Sequence, residues 1–269
     1  MLDPSVTSKP LRLGLIGATG AMGRRVLRVL GEQTRLQLAA LLVRPGRQEA
    51  AQRLLAEHPE AQVECSAEAF AAAIDVALDF SAPPACSTLG PALAAAGRPY
   101  VVASTGLTAA DERVLNKLSQ TNAVLVAANL SLGVQVLMHL AEQAALALGD
   151  WDMEIVETHH RRKVDGPSGT ALALGAALGR GAPHLTAKVG RTNQPEGRPP
   201  KELGYSVVRG GDVAGEHTVY LFGEGERLEL THRSQSADIF ARGALLACRR
   251  LHASAPGRYT MQNLPLLQR

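Results

Sequence analysis

Short apolar runs alternate with helix-period segments through the first half of the chain. Residues 11–16 read as a buried strand, 21–30 as a helix and 36–43 as the next strand. Residues 76–80, 100–103 and 124–127 are further short apolar runs. Helix-like segments 85–96 and 109–118 lie between them, the second opening on a capping-box start, Thr108-Ala109-Ala110-Asp111. Strands alternating with helices predict a parallel sheet covered on both faces. The pattern changes after about residue 130. A long helix over 132–148, a strand over 151–157 and a helix over 170–178 are followed by a Gly- and Pro-rich stretch, 183–200, that predicts a long loop. Strands over 203–208, 216–222 and 227–232 then come in succession, the last two joined by Gly223-Glu224-Gly225, a hairpin signal. A helix over 237–251 and a loose tail close the chain. The prediction is α/β: a parallel-sheet first domain and an α+β second domain.

Composition narrows the classes. Of 269 residues, 46% are hydrophobic, enough for a sizeable core. Aromatics are only 3%, so few residues can stack bases, and a net charge of +3 is too weak to imply a polyanion partner. No nucleic-acid role is expected. Cys65, Cys86 and Cys248 form an odd, widely spaced set, which fits a reducing compartment and shows no zinc knuckle. The apolar stretch 123–148 is broken by Asn129, Ser131, Gln135, His139, Glu142 and Gln143, so no membrane helix is expected, and residues 1–10 do not read as a signal peptide.

Gly17-Ala18-Thr19-Gly20-Ala21-Met22-Gly23 follows a predicted strand and opens a predicted helix. In that context Gly17 permits the tight turn, Gly20 lets backbone approach a pyrophosphate, and Gly23 lets helix and strand pack closely. The spacing predicts a Rossmann-type dinucleotide-binding domain; an ordinary turn is the plainer reading. The next strand ends Leu42-Val43-Arg44 with no carboxylate to bind a ribose 2′-hydroxyl. Arg44, with Arg47 near it, suits a 2′-phosphate instead, which predicts NADPH over NADH. A solvated basic loop is the alternative.

The most informative stretch is Glu157-Thr158-His159-His160-Arg161-Arg162-Lys163-Val164-Asp165-Gly166-Pro167-Ser168-Gly169-Thr170. Five basic or imidazole residues in a row repel one another unless an anion sits beside them. Ser168, Gly169 and Thr170 offer hydroxyls and N–H groups at a helix start, which suits a carboxylate or phosphate. Histidine donates protons near neutral pH. Three other readings stay open on residue chemistry: a solvated charged face, a nucleic-acid contact, and a metal held by His159 and His160. No third ligand stands at a recognisable spacing, so no metal is expected.

Here the sequence resembles the 4-hydroxy-tetrahydrodipicolinate reductase family, whose signature reads E-x-H-H-x-x-K-x-D-A-P-S-G-T-A. One position departs, Gly166 for Ala, which predicts a slightly looser loop. The glycine turn with Met22 resembles the family's G-x-x-G-x-M-G. Ser104-Thr105-Gly106 resembles T-T-G, and Ala127-Ala128-Asn129-Leu130-Ser131 resembles A-A-N-F-S. Arg209-Gly210-Gly211-Asp212 and Gly215-Glu216-His217-Thr218 also resemble family segments.

The resemblance implies an enzyme of the diaminopimelate and lysine pathway, a cytoplasmic homotetramer that reduces a small dicarboxylate with NADPH or NADH. His159 is implied to donate or shuttle a proton. Lys163 is implied as second donor and carboxylate attractor. His160, Gly169 and Thr170, with Ser168 beside them, are implied to bind substrate. The implied dinucleotide contacts are Gly17, Ala18, Thr19, Gly20, Ala21, Met22, Ala103, Ser104, Thr105, Ala127, Ala128, Asn129 and Leu130. The family's frequent Glu-Arg pair is Val43-Arg44 here, which favours NADPH, and Ala82 stands where the family often has Arg. The implied fold is a nucleotide domain of residues 1–129 with 240–269, plus a substrate-binding and tetramerisation domain, 130–239. The rivals are another two-domain dehydrogenase acting on a related dicarboxylate, and an inactive nucleotide sensor. A sensor would be marked by a damaged His159 or Lys163, and both residues are present.

Overall fold

The computed structural model describes residues 9–32, 35–82, 85–104, 106–193 and 195–264. The chain divides into two compact units, residues 1–130 with 240–269, and residues 131–239.

Eleven strands and α-helices open the first unit. They are β1 (Leu11–Ile16), α1 (Ala21–Leu30), β2 (Leu36–Leu42), α2 (Gln48–Gln52), β3 (Gln62–Glu64), α3 (Ala67–Ala73), β4 (Val76–Asp79), α4 (Cys86–Ala96), β5 (Tyr100–Val102), α5 (Ala109–Leu118) and β6 (Ala123–Val126). The second unit follows with α6 (Leu132–Ala147), β7 (Asp152–His159), α7 (Gly169–Gly181), β8 (Thr186–Val189), β9 (Glu202–Arg209), β10 (Gly215–Phe222) and β11 (Arg227–Ser234). The chain returns to the first unit through α8 (Asp238–His252) and ends on β12 (Gly257–Tyr259).

The first sheet is wholly parallel, in the order β12-β6-β5-β4-β1-β2-β3. The chain winds outward one way through β2 and β3, then restarts beside β1 at β4 and winds the other way. The gap between β1 and β4 is therefore the switch point, where the loops leaving neighbouring strands diverge and leave a crevice. Strands buried on both faces read as continuous apolar runs, and Leu13, Leu15, Val76, Leu78, Val101 and Leu125 are fully buried. Thr108 caps α5 by accepting from the Asp111 N–H, while the Asp111 carboxylate accepts from the Thr108 N–H, completing the capping box.

The second sheet is mixed, in the order β11-β10-β7-β9-β8. β10 runs antiparallel to both β7 and β11, whereas β9 is parallel to β7 and β8. Helices α6 and α7 cover one face with a core that includes Leu137, Met138, Ala141, Leu174, Leu178, Met153, Ile155, Tyr205, Val219 and Leu221. The other face carries Asp152, Glu154, Val156, Tyr220 and Phe222. Arg191 and Arg198 are laid across it in ion pairs with Asp152, Glu154 and Glu202.

The structure corrects two expectations. The stretch expected as a long loop contains β8, whose four residues are all exposed and so give no apolar signal. The expected loose tail contains β12, three half-buried residues pairing with β6. Three short elements, α2, β3 and α3, were not legible either.

Candidate active site

The nucleotide turn is shaped by what glycine lacks. Gly17 leaves β1 at φ +80° and lies against the loop after β4: a Cβ there would stand 2.7 Å from the Phe80 carbonyl. A Cβ on Gly23 would overlap the Gly17 carbonyl oxygen and Ala18. The turn is thus pressed across the switch point between β1 and β4. Gly20 is the N-cap of α1; no side chain caps this helix and its first turn holds no acidic residue. Thr19, Gly20 and Ala21 are exposed, Met22 is half-buried and Ala18 is buried. A helix start with open N–H groups and the positive end of its dipole is a phosphate cradle. These residues fit a dinucleotide.

Other residues expected around the nucleotide stand on loops that leave the same edge of the sheet. Arg44 is exposed just beyond β2. Ala103 and Ser104 follow β5, and Ala127, Ala128 and Asn129 follow β6. Leu130 is buried; its carbonyl faces Gly243 of α8 so closely that a Cβ at 243 would overlap it. Thr105 lies outside the described residues.

Asp79 ties the loop after β4 to β5 and the loop that follows it, and was not expected from sequence. Fully buried at the end of β4, it accepts from the Ser81 N–H (2.7 Å), the Ala85 N–H (3.0 Å) and the Tyr100 hydroxyl (2.5 Å). The Ser104 hydroxyl also turns inward, to the Asp79 carbonyl at 3.3 Å. Burial and the Asp79 charge push the Tyr100 phenol well above its ordinary value, so it stays a donor.

The second cluster grows from strand alternation. Met153, Ile155, Glu157 and His159 share one face of β7, so the stripe that builds the core ends in a carboxylate and an imidazole. Register supplies their neighbours: His217 on β10 stands opposite Glu157, and Arg209 on β9 stands opposite His159. The Glu157 carboxylate accepts on Oε1 from Arg209 (2.8 Å) and from the Ser168 N–H (3.0 Å), and its Oε2 touches His159 Nδ1. His217 packs edge-on against His159, ring centres 5.1 Å apart. Its Nε2 lies 3.1 Å from the Ser168 hydroxyl, which also caps α7 by accepting from the Ala171 N–H.

The basic loop is pinned over this cluster. His160 donates its N–H to the Val213 carbonyl, Arg161 to that of Gly211, and the Lys163 N–H closes a turn on the His160 carbonyl. Lys163 Nζ donates to both Asp165 oxygens, at 2.7 and 2.8 Å. Arg209 also donates to the Asp165 carbonyl (2.6 Å). Gly169 is exposed and Thr170 half-buried in the first turn of α7. Gly166 makes room rather than slack, because a Cβ there would stand 3.1 Å from Val207 and 3.3 Å from Arg209. His159, His160, Lys163, Ser168, Gly169 and Thr170 thus share one loop and helix start.

Electrostatics follow from burial. Burial pushes the Glu157 carboxyl up, but Arg209, His159 and the Ser168 N–H outweigh it and hold the group below its ordinary value. Burial pushes His159 down, with Lys163 and Arg209 adding to this and Glu157 opposing it. Burial and His159 push His217 down to about 4. Both rings are therefore neutral at neutral pH. Glu157, His159 and His217 are also the one group among the described residues with three ligand atoms within 4.8 Å. Arg209 already occupies Glu157 and Lys163 lies beside it, so this donor set suits protons and anions rather than a metal cation.

Glu157, Arg209, His217, Asp165 and Asp79 were missed as site residues. Glu157 and Asp165 stand in the basic stretch itself. Arg209 and His217 stand in the two later segments that resemble the family. Only strand register shows what they touch.

A cradle for phosphate at a parallel-sheet switch point, and a buried imidazole beside a lysine, place the chain among two-domain nucleotide-dependent reductases. Comparison with known proteins agrees. Family profiles described as dihydrodipicolinate reductase, N-terminus and C-terminus, match residues 11–130 and 133–264. The 4-hydroxy-tetrahydrodipicolinate reductase of Halorhodospira halophila is 41% identical over 263 residues, covering 94% of this chain and 98% of the relative. That of Stenotrophomonas maltophilia is 41% identical over 258 residues, covering 95% and 98%. Among solved structures, dipicolinate-bound dihydrodipicolinate reductase from Paenisporosarcina sp. TG-14 superposes with a TM-score of 0.76 at 23% identity, covering 93% of this chain and 97% of that one. A probable dehydrogenase from Thermotoga maritima shares the fold at a TM-score of 0.62 and 14% identity, covering 94% and 92%. The chain belongs to the dihydrodipicolinate reductase family.

Proposed function

We propose that this chain reduces 4-hydroxy-tetrahydrodipicolinate to tetrahydrodipicolinate, with NADPH preferred over NADH. The observation that carries the reading is the Glu157–His159 pair beside Lys163, in a chain that its reductase relatives match almost end to end. Gly17, Ala18, Thr19, Gly20, Ala21 and Met22 hold the dinucleotide, with Ala103, Ser104, Thr105 and Ala127, Ala128, Asn129, Leu130 around it. Arg44 faces the 2′-phosphate. When bound, the reduced nicotinamide supplies hydride.

The protein's own groups do the rest. His160, Ser168, Gly169 and Thr170 hold the substrate carboxylates at the start of α7. Lys163 exchanges Asp165 for a substrate carboxylate and is the second proton donor. His159 is neutral before substrate arrives. Two carboxylates placed beside it favour the imidazolium, so substrate binding loads the proton that His159 delivers. The ring hydroxyl leaves as water, and one hydride and one proton add across the resulting unsaturation. Exclusion of water strengthens each of these contacts.

The sheet face opposite α6 and α7, with Tyr220 stacked on Phe222, supports assembly into a homotetramer. No helix among the described residues is long and apolar enough to cross a membrane, and three free cysteines fit work in the cytoplasm. The test is NADPH consumption with substrate freshly generated by a coupled synthase. Turnover is expected. Folded, NADPH-binding protein that consumes none would favour a nucleotide sensor.

A further inference from the structure

The carboxylate behind His159 has a role that the reaction scheme leaves unassigned. We propose that Glu157 is a positioning residue: it holds the His159 imidazole as the Nδ1–H tautomer, leaving Nε2 to handle the proton. The proposal rests on the reading above, in which His159 serves the reduction.

The geometry dictates the tautomer. Glu157 is 1% exposed and His159 9% exposed. Oε1 is committed to Arg209 and the Ser168 N–H. Oε2 and His159 Nδ1 are shut off from solvent, lie in ion-pair contact with one another, and make no hydrogen bond to any other group. A carboxylate can only accept, and two bare acceptors held in contact away from water repel, so the ring hydrogen belongs on Nδ1 of a neutral imidazole. Two donors fixed on Oε1 prevent the carboxylate from turning away. His217, edge-on at 5.1 Å and held by the Ser168 hydroxyl, blocks rotation of the ring. A buried carboxylate alone would be costly; Arg209 offsets that cost and frees the second oxygen for positioning.

Glu157→Gln separates positioning from bulk. Arg209 and the Ser168 N–H both donate, so they draw the amide oxygen to their side. The amide NH₂ then faces His159 Nδ1 and forces it to accept, which moves the hydrogen to Nε2. The charged and titratable groups around His159 are Glu157, Lys163, Arg209 and His217, with His232 behind His217. Removing the one anion among them lowers the pH at which His159 takes up a proton.

Nitrogen-15 imidazole spectra of the wild type, above the His159 titration, are expected to show Nδ1–H. Glu157→Gln is expected to show Nε2–H. Its kcat is expected to fall about 10²-fold, with KM and NADPH affinity within about threefold. Its kcat/KM limb for His159 is expected at lower pH. A merely structural role would lower melting temperature without switching the tautomer. A folded variant that keeps wild-type kcat and tautomer overturns the proposal. If the variant does not fold, the wild-type spectrum decides alone, and Nε2–H there overturns it. The spectra need no turnover, so an inactive wild type with Nδ1–H would sink the proposed reaction and leave the positioning of His159 standing.

Discussion

In the proposed function the glycine turn and the basic loop solve the same problem, holding an anion, by opposite means. The turn removes side chains: Gly17 and Gly23 exist so that backbone can lie on backbone, and α1 presents uncapped N–H groups. The loop accumulates side chains. Lys163, Arg209, Glu157, His159 and His217 interlock, and each conformation depends on a neighbour. A backbone cradle binds without titrating. A side-chain cluster can load and release a proton, but only while its members stay in register. On the proposed function, proton chemistry therefore belongs to the second site and grip to the first.

Substitutions can break this contrast. The largest effect is expected at Gly23. Any Cβ there meets backbone, which cannot give way cheaply, so Gly23→Val is expected to weaken NADPH binding about 10³-fold or more, or to unfold the first unit. Cofactor titration against circular dichroism of the same sample separates the two. Lys163→Ala is expected to lower kcat about 10²–10⁴-fold while NADPH affinity survives, read by steady-state kinetics and cofactor titration.

The contrast also explains what was legible in the sequence. The glycine turn is a local device of seven residues between a strand and a helix, so spacing and context pointed to it, while the press of Gly17 on the Phe80 backbone shows only in the structure. The basic loop announced an anion by charge density, but not its inner logic. Glu157 and Arg209 are 52 residues apart, and Ser168 and His217 are 49 apart; parallel and antiparallel pairings on either side of β7 bring them together. Strand β8 stayed hidden because none of its residues is buried, and β12 because three half-buried residues carry no period. Asp79 ends a plain apolar run, and its partners, Ser81 and Ala85 on the loop after β4, Tyr100 on β5 and Ser104 beyond it, come together only in three dimensions.

Smaller effects sharpen the contrast. His217 takes up a proton near 6.5 in the unfolded chain but only near 4 when folded. Acid therefore favours unfolding: this contribution to stability is complete above about pH 6.5 and is lost as the pH falls toward 4. The loss is on the order of 3 kcal/mol. Urea titrations at pH 7 and pH 5 check it, and His217→Gln is expected to flatten the slope. Arg44→Ala, at an exposed side chain, is expected to cost about tenfold in kcat/KM with NADPH and little with NADH. Equal losses with both cofactors would remove Arg44 from the 2′-phosphate.

The division of labour between grip and chemistry is tested most directly by His159→Gln, with NADPH affinity and single-turnover rate measured on one preparation. The account predicts wild-type affinity and a rate lower by about 10²–10⁴-fold. A wild-type rate, or a loss of affinity that matches the loss of rate, would contradict it.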